Sequence, residues 1–304
     1  MKLGISSYCL TPAMRAGDMT VFDVIDYAKQ KGCDHIEFVP FYLPFVNEED
    51  RCLNDDLIDQ VREKCAAVQL EISTYSVNAD LLKPDSKERE QELNRIKLHI
   101  DAAHRLGLTW MRHDIAAFRR PFDTNTFQNF EKEFPLMVET TRELCDYAAS
   151  YGINTTLENH GFFCNGSDRI LRILEAVDRP NMRLTMDVGN FQCVDESSEA
   201  AVKKCLPYAQ IIHLKDFYIR DKDALPGQTQ MFNCSDGAWF ETMGGKMLRG
   251  AITGQGDLNL RGIIRMIKAY GFDGYISIEF EGMEPCEIAT EICLNMFRGF
   301  WDQV

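Results

Sequence analysis

Thr155-Thr156-Leu157-Glu158-Asn159-His160-Gly161, Leu184-Thr185-Met186-Asp187-Val188-Gly189-Asn190 and Ile211-Ile212-His213-Leu214-Lys215-Asp216 are three short apolar runs between Asn154 and Phe217. Each ends in a group able to bind a hard metal ion. Ile276-Ser277-Ile278-Glu279-Phe280-Glu281-Gly282 repeats the design near the C-terminus. Successive residues of a strand face opposite sides. Thr156, Glu158 and His160 therefore share a face, as do Thr185 and Asp187, then Ile211, His213 and Lys215, then Tyr275, Ser277 and Glu279. The opposite face is apolar in all four runs and suits contact with outer helices. The ionisable residue stands near each strand's C-terminal end.

Strand and helix patterns alternate outward from this stretch. Strands are expected at Lys2–Tyr8, His35–Val39, Leu70–Tyr75, Thr109–Ile115, Asn154–Asn159, Arg183–Val188, Gln210–Phe217 and Tyr275–Phe280. Helices are expected at Thr20–Lys31, Asn54–Val68, Ser86–Leu106, Phe127–Tyr151, Ser167–Val177, Glu196–Leu206, Leu258–Tyr270 and Cys286–Phe300. Side-chain acceptors open these helices, Asp257 capping the seventh, and Gly or Pro follows many of their last turns. Strands each followed by a helix imply a parallel sheet with right-handed crossovers. Their number favours an α/β fold of the closed (β/α)8 TIM barrel type. No Gly-rich or Ser-rich linker interrupts residues 1–304, so a single barrel domain is expected. A long segment of weak periodicity, around 218–256, follows the seventh strand and would lie over the C-terminal mouth.

Composition narrows the function. The chain has 304 residues, with 33 Lys plus Arg against 47 Asp plus Glu and a net charge of −14. Such a surface repels nucleic acid and anionic membranes, and no basic run offsets it. No apolar run approaches the roughly 20 residues that span a bilayer. The N-terminus reads as a strand, not a secretion signal. The 11 cysteines are scattered with no C-x-x-C pair, which suits reduced, mostly buried thiols in the cytoplasm.

Glu158, Asp187, His213 and Glu279 are the expected ligands of one divalent ion. Two Glu, one Asp and one His form an oxygen-rich set suited to Mn²⁺ or Mg²⁺, with Co²⁺ or Zn²⁺ admitted by the imidazole. Three facing carboxylates without a cation would repel, or one would stay protonated. Glu281 shares the parity of Glu279 and competes with it. Glu279 is preferred as lying inside the regular strand.

The motifs Leu157-Glu158-Asn159-His160, Met186-Asp187-Val188-Gly189-Asn190, His213-Leu214-Lys215-Asp216, Gly254-Gln255-Gly256-Asp257 and Ile278-Glu279, in this order, resemble the sugar phosphate isomerase/epimerase superfamily, the xylose isomerase-like barrels. The resemblance covers nearly the whole chain. It implies that the four matching residues hold a divalent metal and that Glu158 and Glu279 also move protons. Some relatives carry His three residues after the Asp of the sixth strand, where this chain has Asn190. The missing histidine and the acidic surface count against a multi-zinc endonuclease.

The expected chemistry is isomerisation or epimerisation of a small sugar or polyol through an enediolate, with elimination by a dehydratase or lyase as the alternative. Metal-dependent phosphoester hydrolysis and a catalytically dead sugar-binding barrel rank below these. His160, Lys215, Asn190, His113 and Glu37 are candidate substrate-binding residues, with Arg112 beside them. Tyr8, Phe38, Phe162 and Trp239 are candidate apolar walls. Gly254-Gln255-Gly256 is too generic to imply a phosphorylated substrate. Homo-oligomerisation stays open.

Overall fold

The computed structural model describes residues 1–225 and 239–304. Eight parallel strands close into a barrel: β1 Lys2–Ser6, β2 His35–Phe38, β3 Glu71–Val77, β4 Trp110–His113, β5 Asn154–Glu158, β6 Met182–Asp187, β7 Ala209–Leu214 and β8 Tyr275–Ile278. They follow one another around the barrel in chain order, and β8 closes on β1. Each strand leads to an outer helix: α1 Val21–Gln30, α2 Asp55–Ala67, α3 Ser86–Arg105, α4 Phe127–Ala149, α5 Ser167–Val177, α6 Ser198–Cys205, α7 Leu260–Tyr270 and α8 Cys286–Gln303. The expected (β/α)8 TIM barrel is the observed fold. No described helix is long and apolar enough to cross a membrane.

Local chemistry sets the helix starts. Thr20 accepts from the Asp23 amide, and the Asp23 carboxylate accepts from the Thr20 amide, a reciprocal capping box at α1. Asp85 caps α3 one residue before the Ser expected there. Asn259 caps α7 in place of the expected Asp257. Asp257 instead accepts from the Ile219 amide at 2.6 Å and pairs with Arg220.

The outward strand residues Ile36, Leu157, Met186, Ile212 and Ile276 are buried against the helices. The inward face is polar, as in the Thr156–Thr185 hydroxyl pair at 2.7 Å. Gly4 is dictated by closure between β1 and β2, because a Cβ there would stand 2.1 Å from the His35 carbonyl oxygen.

The segment after β7 has more order than its weak periodicity suggested. Asp216–Asp221, Phe240–Glu241 and Lys246–Ala251 form a three-stranded antiparallel sheet with Lys246–Ala251 in the middle. Part of the segment, 226–238, lies outside the described residues.

Candidate metal centre

Strand parity and one bulge assemble the centre. Glu158 and Asp187 end β5 and β6, and His213 is the penultimate residue of β7. Between β6 and β7 the register passes from Leu184↔Ala209 to Thr185↔Ile211. The extra residue, Gln210, sets Asp187 beside His213; without it Asp187 would pair with Ile212. Glu279 was expected inside the eighth strand, but β8 ends at Ile278. Its amide still donates to the Leu214 carbonyl at 3.3 Å, so it keeps the strand's direction for one more residue. One ligand atom from each of Glu158, Asp187, His213 and Glu279 lies within 4.8 Å of the other three.

The donor atoms fit a cation. Asp187 Oδ1 accepts from the amides of Gly189 at 2.7 Å and Asn190 at 2.9 Å, while Oδ2 is buried without a hydrogen bond. His213 Nε2 donates to Glu37 at 2.9 Å, which turns Nδ1 toward the centre. His213 Nδ1 and Glu279 Oε2 face each other at 2.7 Å, and neither has a hydrogen bond of acceptable geometry. Three buried atoms without a hydrogen bond, on a carboxylate-rich set, are what a divalent ion satisfies.

Fixed positive charge surrounds the carboxylates. Arg112 Nε is 2.9 Å from Glu158 Oε2, and Asn190 Nδ2 donates to Glu158 Oε1 at 2.9 Å. Lys215 Nζ lies 3.2 Å from Asp187, 3.5 Å from Glu279 and 3.5 Å from Glu281. Burial alone would raise Glu158, yet the charges of Arg112 and His213 hold it well below the usual carboxylate range. Burial likewise opposes the ionised form of Glu279, but Lys215 and His213 bring it down to about 2. For Glu281 burial prevails over Lys215 and pushes the carboxyl up to about 7.

The expected substrate residues fall into three groups. His160, Lys215 and Asn190 line a cavity of about 340 Å³ that Glu158, His213 and Glu279 also line. Glu37 also borders it, but its carboxylate is taken up by His213, Ser277 at 2.9 Å and Ser76 at 2.5 Å. His113 pairs in register with Leu157, which puts it on the helix-facing side, outside the cavity lining. Its neighbour Arg112 pairs with Thr156 and points inward. The parity argument, applied to β4 as it was to β5, selects Arg112 over His113.

Asp114 had not been singled out. Its Oδ1 accepts from Arg112 at 2.7 Å and its Oδ2 meets His160 Nδ1 at 3.0 Å, joining the Glu158 side of the centre to the imidazole. No motif marked it, because its role depends on a neighbouring strand. Of the expected apolar walls, Tyr8 lines the cavity, whereas Phe38 and Phe162 are buried away from it. Trp239 lies against Arg249. The Gly254-Gln255-Gly256 turn is already filled: the Gly254 and Gly256 amides both donate to Asp216 at 2.9 Å.

Known proteins share this fold. A family model for xylose isomerase-like TIM barrels matches residues 25–294. Fructoselysine 3-epimerase of Shigella flexneri is 25% identical, over 80% of this chain and 80% of its own. Inosose dehydratase of Geobacillus thermodenitrificans is 22% identical over 64% of this chain and 65% of its own. A candidate hydroxypyruvate isomerase of Homo sapiens is 21% identical over 50% of this chain. The chain spans 43% of that human protein's length and, with the dehydratase, stays under two thirds of the relative. Among solved structures, D-psicose 3-epimerase of Clostridium cellulolyticum with D-tagatose superposes with a TM-score of 0.71 at 15% identity, covering 99% of both chains. A xylose isomerase-like barrel from Mycobacterium smegmatis in complex with magnesium gives 0.65 at 20% identity, covering 92% of this chain and 87% of that one.

Proposed function

The chain belongs to the xylose isomerase-like TIM barrel family, and we propose that it is a metal-dependent isomerase or epimerase of a keto-sugar or keto-polyol. The observation that carries this reading is the convergence of Glu158, Asp187, His213 and Glu279, of which Glu158, His213 and Glu279 line one cavity. Epimerase and isomerase relatives support it. A divalent ion held by these four residues supplies Lewis acidity to a carbonyl oxygen. Mn²⁺ or Mg²⁺ suits the oxygen-rich set, with Co²⁺ or Zn²⁺ compatible with the single imidazole.

Glu158 and Glu279 both approach His213, at 3.6 Å and 2.7 Å from its Nδ1. One takes the proton from the carbon next to the carbonyl, and the other returns a proton to the opposite face or to the neighbouring carbon. The glutamate that takes the proton starts as a carboxylate, a form that Arg112 beside Glu158 and Lys215 beside Glu279 favour, and the one that returns a proton starts as the acid. Lys215 and His160 also face the cavity as hydrogen-bonding groups for substrate oxygens. Asn190 fixes the angle of Glu158. A small-molecule substrate in the cytoplasm is the setting this reading requires.

Elimination is the second reading. The observation that favours it is Glu281, a further carboxyl lining the cavity 3.5 Å from Lys215. It is placed to protonate a departing hydroxyl, as a dehydratase needs.

A panel of keto-sugars and keto-polyols in deuterated water with Mn²⁺ tests both readings. Solvent deuterium is expected at the carbon beside the carbonyl, with loss of a hydroxyl marking elimination. Undiminished exchange in Glu158→Gln and Glu279→Gln sinks the role assignment.

A further inference from the structure

Above the polar floor of the cavity the wall changes character. The chain leaves β2 through Val39-Pro40 and makes a turn, closed by the Leu43 amide donating to the Pro40 carbonyl at 3.2 Å. Leu43 and Phe45 are buried at 2% and 0% exposure, which anchors the turn. Phe41 and Tyr42 at its tip are 40% and 54% exposed, yet both line the same cavity as Glu158 and Glu279. Tyr42 has φ of 59°. It occupies the third position of the turn, the place where positive φ normally selects Gly or Asn. A bulky residue held there is strained, and such strain concentrates at ligand sites. Among the described residues Tyr42 is the one aromatic with positive φ. Phe41 meets Tyr8 at a ring-centroid distance of 6.1 Å, but neither Phe41 nor Tyr42 packs against the hydrophobic core, so core packing does not account for an aromatic at a glycine position.

We infer that Phe41 and Tyr42 form a distal subsite for an apolar or ring substituent carried by the keto-sugar, so that the substrate is a substituted ketose and not a free one. This rests on the proposed sugar chemistry at the metal centre. The floor supplies hydrogen-bonding groups for sugar oxygens, including Arg112, His160 and Lys215. The far end supplies carbon surface from Val39, Phe41 and Tyr42, which a free ketose would leave wet. An aromatic or glycosyl group attached to the sugar covers that surface while the carbonyl sits at the floor.

The test compares D-fructose with 1-anilino-1-deoxy-D-fructose, reading solvent deuterium incorporation at C3 with Mn²⁺ present. Wild type is expected to show kcat/KM at least tenfold higher for the anilino sugar. Phe41→Ala/Tyr42→Ala removes that preference and leaves the D-fructose rate within about twofold. Tyr42→Gly separates function from fold, because Gly relieves the strained φ: Tm holds or rises while the preference falls. Equal kcat/KM for the two sugars in wild type, or a preference untouched by these variants, overturns the subsite and leaves the proposed function standing. A change of oligomeric state in the variants with unchanged preference reassigns the pair to a subunit contact and also overturns it. Absence of exchange with either sugar and with the wider panel removes the proposed function, and this inference with it.

Discussion

Glu37 on β2 accepts a hydrogen bond from His213 Nε2 on β7 at 2.9 Å. Ser76 and Ser277 also donate to this carboxylate, so its position is fixed from three strands. Glu37 thereby sets the tautomer and the ring angle of His213, leaving the Nδ1 lone pair for the centre.

Glu37→Gln is expected to weaken Mn²⁺ binding by roughly 10–100-fold, the usual effect of removing a carboxylate behind a ligating imidazole. The amide keeps the volume, so folding survives. Calorimetric titration of Mn²⁺ into wild type and variant reads the change. Equal affinities would show that His213 needs no carboxylate charge behind Nε2.

Gly4→Ala tests barrel closure away from the site. The added Cβ meets the backbone of His35, with the carbonyl oxygen at 2.1 Å and the carbon at 2.8 Å. Backbone on a neighbouring strand cannot swing aside as a side chain does. A loss of about 1–3 kcal/mol or more is expected, the range for overpacked interiors. Thermal unfolding measures it, and an unchanged Tm contradicts the tight β1–β2 approach.

These two residues show what the sequence made legible. Parity over four apolar runs located Glu158, Asp187, His213 and Glu279, since alternation along a strand is a local property. Which residues support them is not local. Glu37 reaches His213 across the barrel, and Asp114 reaches His160 from the adjacent strand. Gln210 is invisible as a bulge until β6 and β7 are laid side by side. At β4 the residue type of His113 points to a site, whereas parity points to Arg112. The sheet after β7 escaped notice because its strands are half-buried and pair antiparallel with each other, outside the barrel rhythm.

Acid should weaken the fold through His35. The ring is fully buried, with Nε2 at 3.2 Å from the Ile276 carbonyl and Nδ1 without a partner. Burial lowers its pKa from the ordinary 6.5 to about 4. The unfolded chain therefore binds the proton first as pH falls. The stability this neutral ring allows is complete above pH 6.5 and is lost progressively between pH 6.5 and 4. By pH 5 the loss is about 2 kcal/mol, at 1.36 kcal/mol per unit. Urea unfolding at pH 7 and pH 5 reads it, and His35→Gln should flatten the difference. A wild-type stability that stays level across that interval argues against the assignment.

Asp195 should control the order of the segment over Phe240. Its carboxylate accepts from Thr242 Oγ1 at 2.8 Å and from the Gly244 amide at 2.6 Å, and the Met243 amide donates to the Cys193 carbonyl at 2.9 Å. These bonds tie the turn between Phe240–Glu241 and Lys246–Ala251 to the loop that carries Asn190. Phe240 lines the cavity and meets Phe217 edge-on at 5.7 Å. Asp195→Ala removes the acceptor of the buried Thr242 hydroxyl and of the exposed Gly244 amide, and loss of the first costs about 1–3 kcal/mol locally. Amide exchange at residues 242–246 is expected to quicken at least tenfold, read by mass spectrometry, while Mn²⁺ affinity stays unchanged because no ligand is touched. Asp195→Asn keeps one acceptor and tolerates the residue's φ of 56°, so it should fall between the two. Wild-type exchange rates in Asp195→Ala would mean that the sheet holds its turn without this carboxylate.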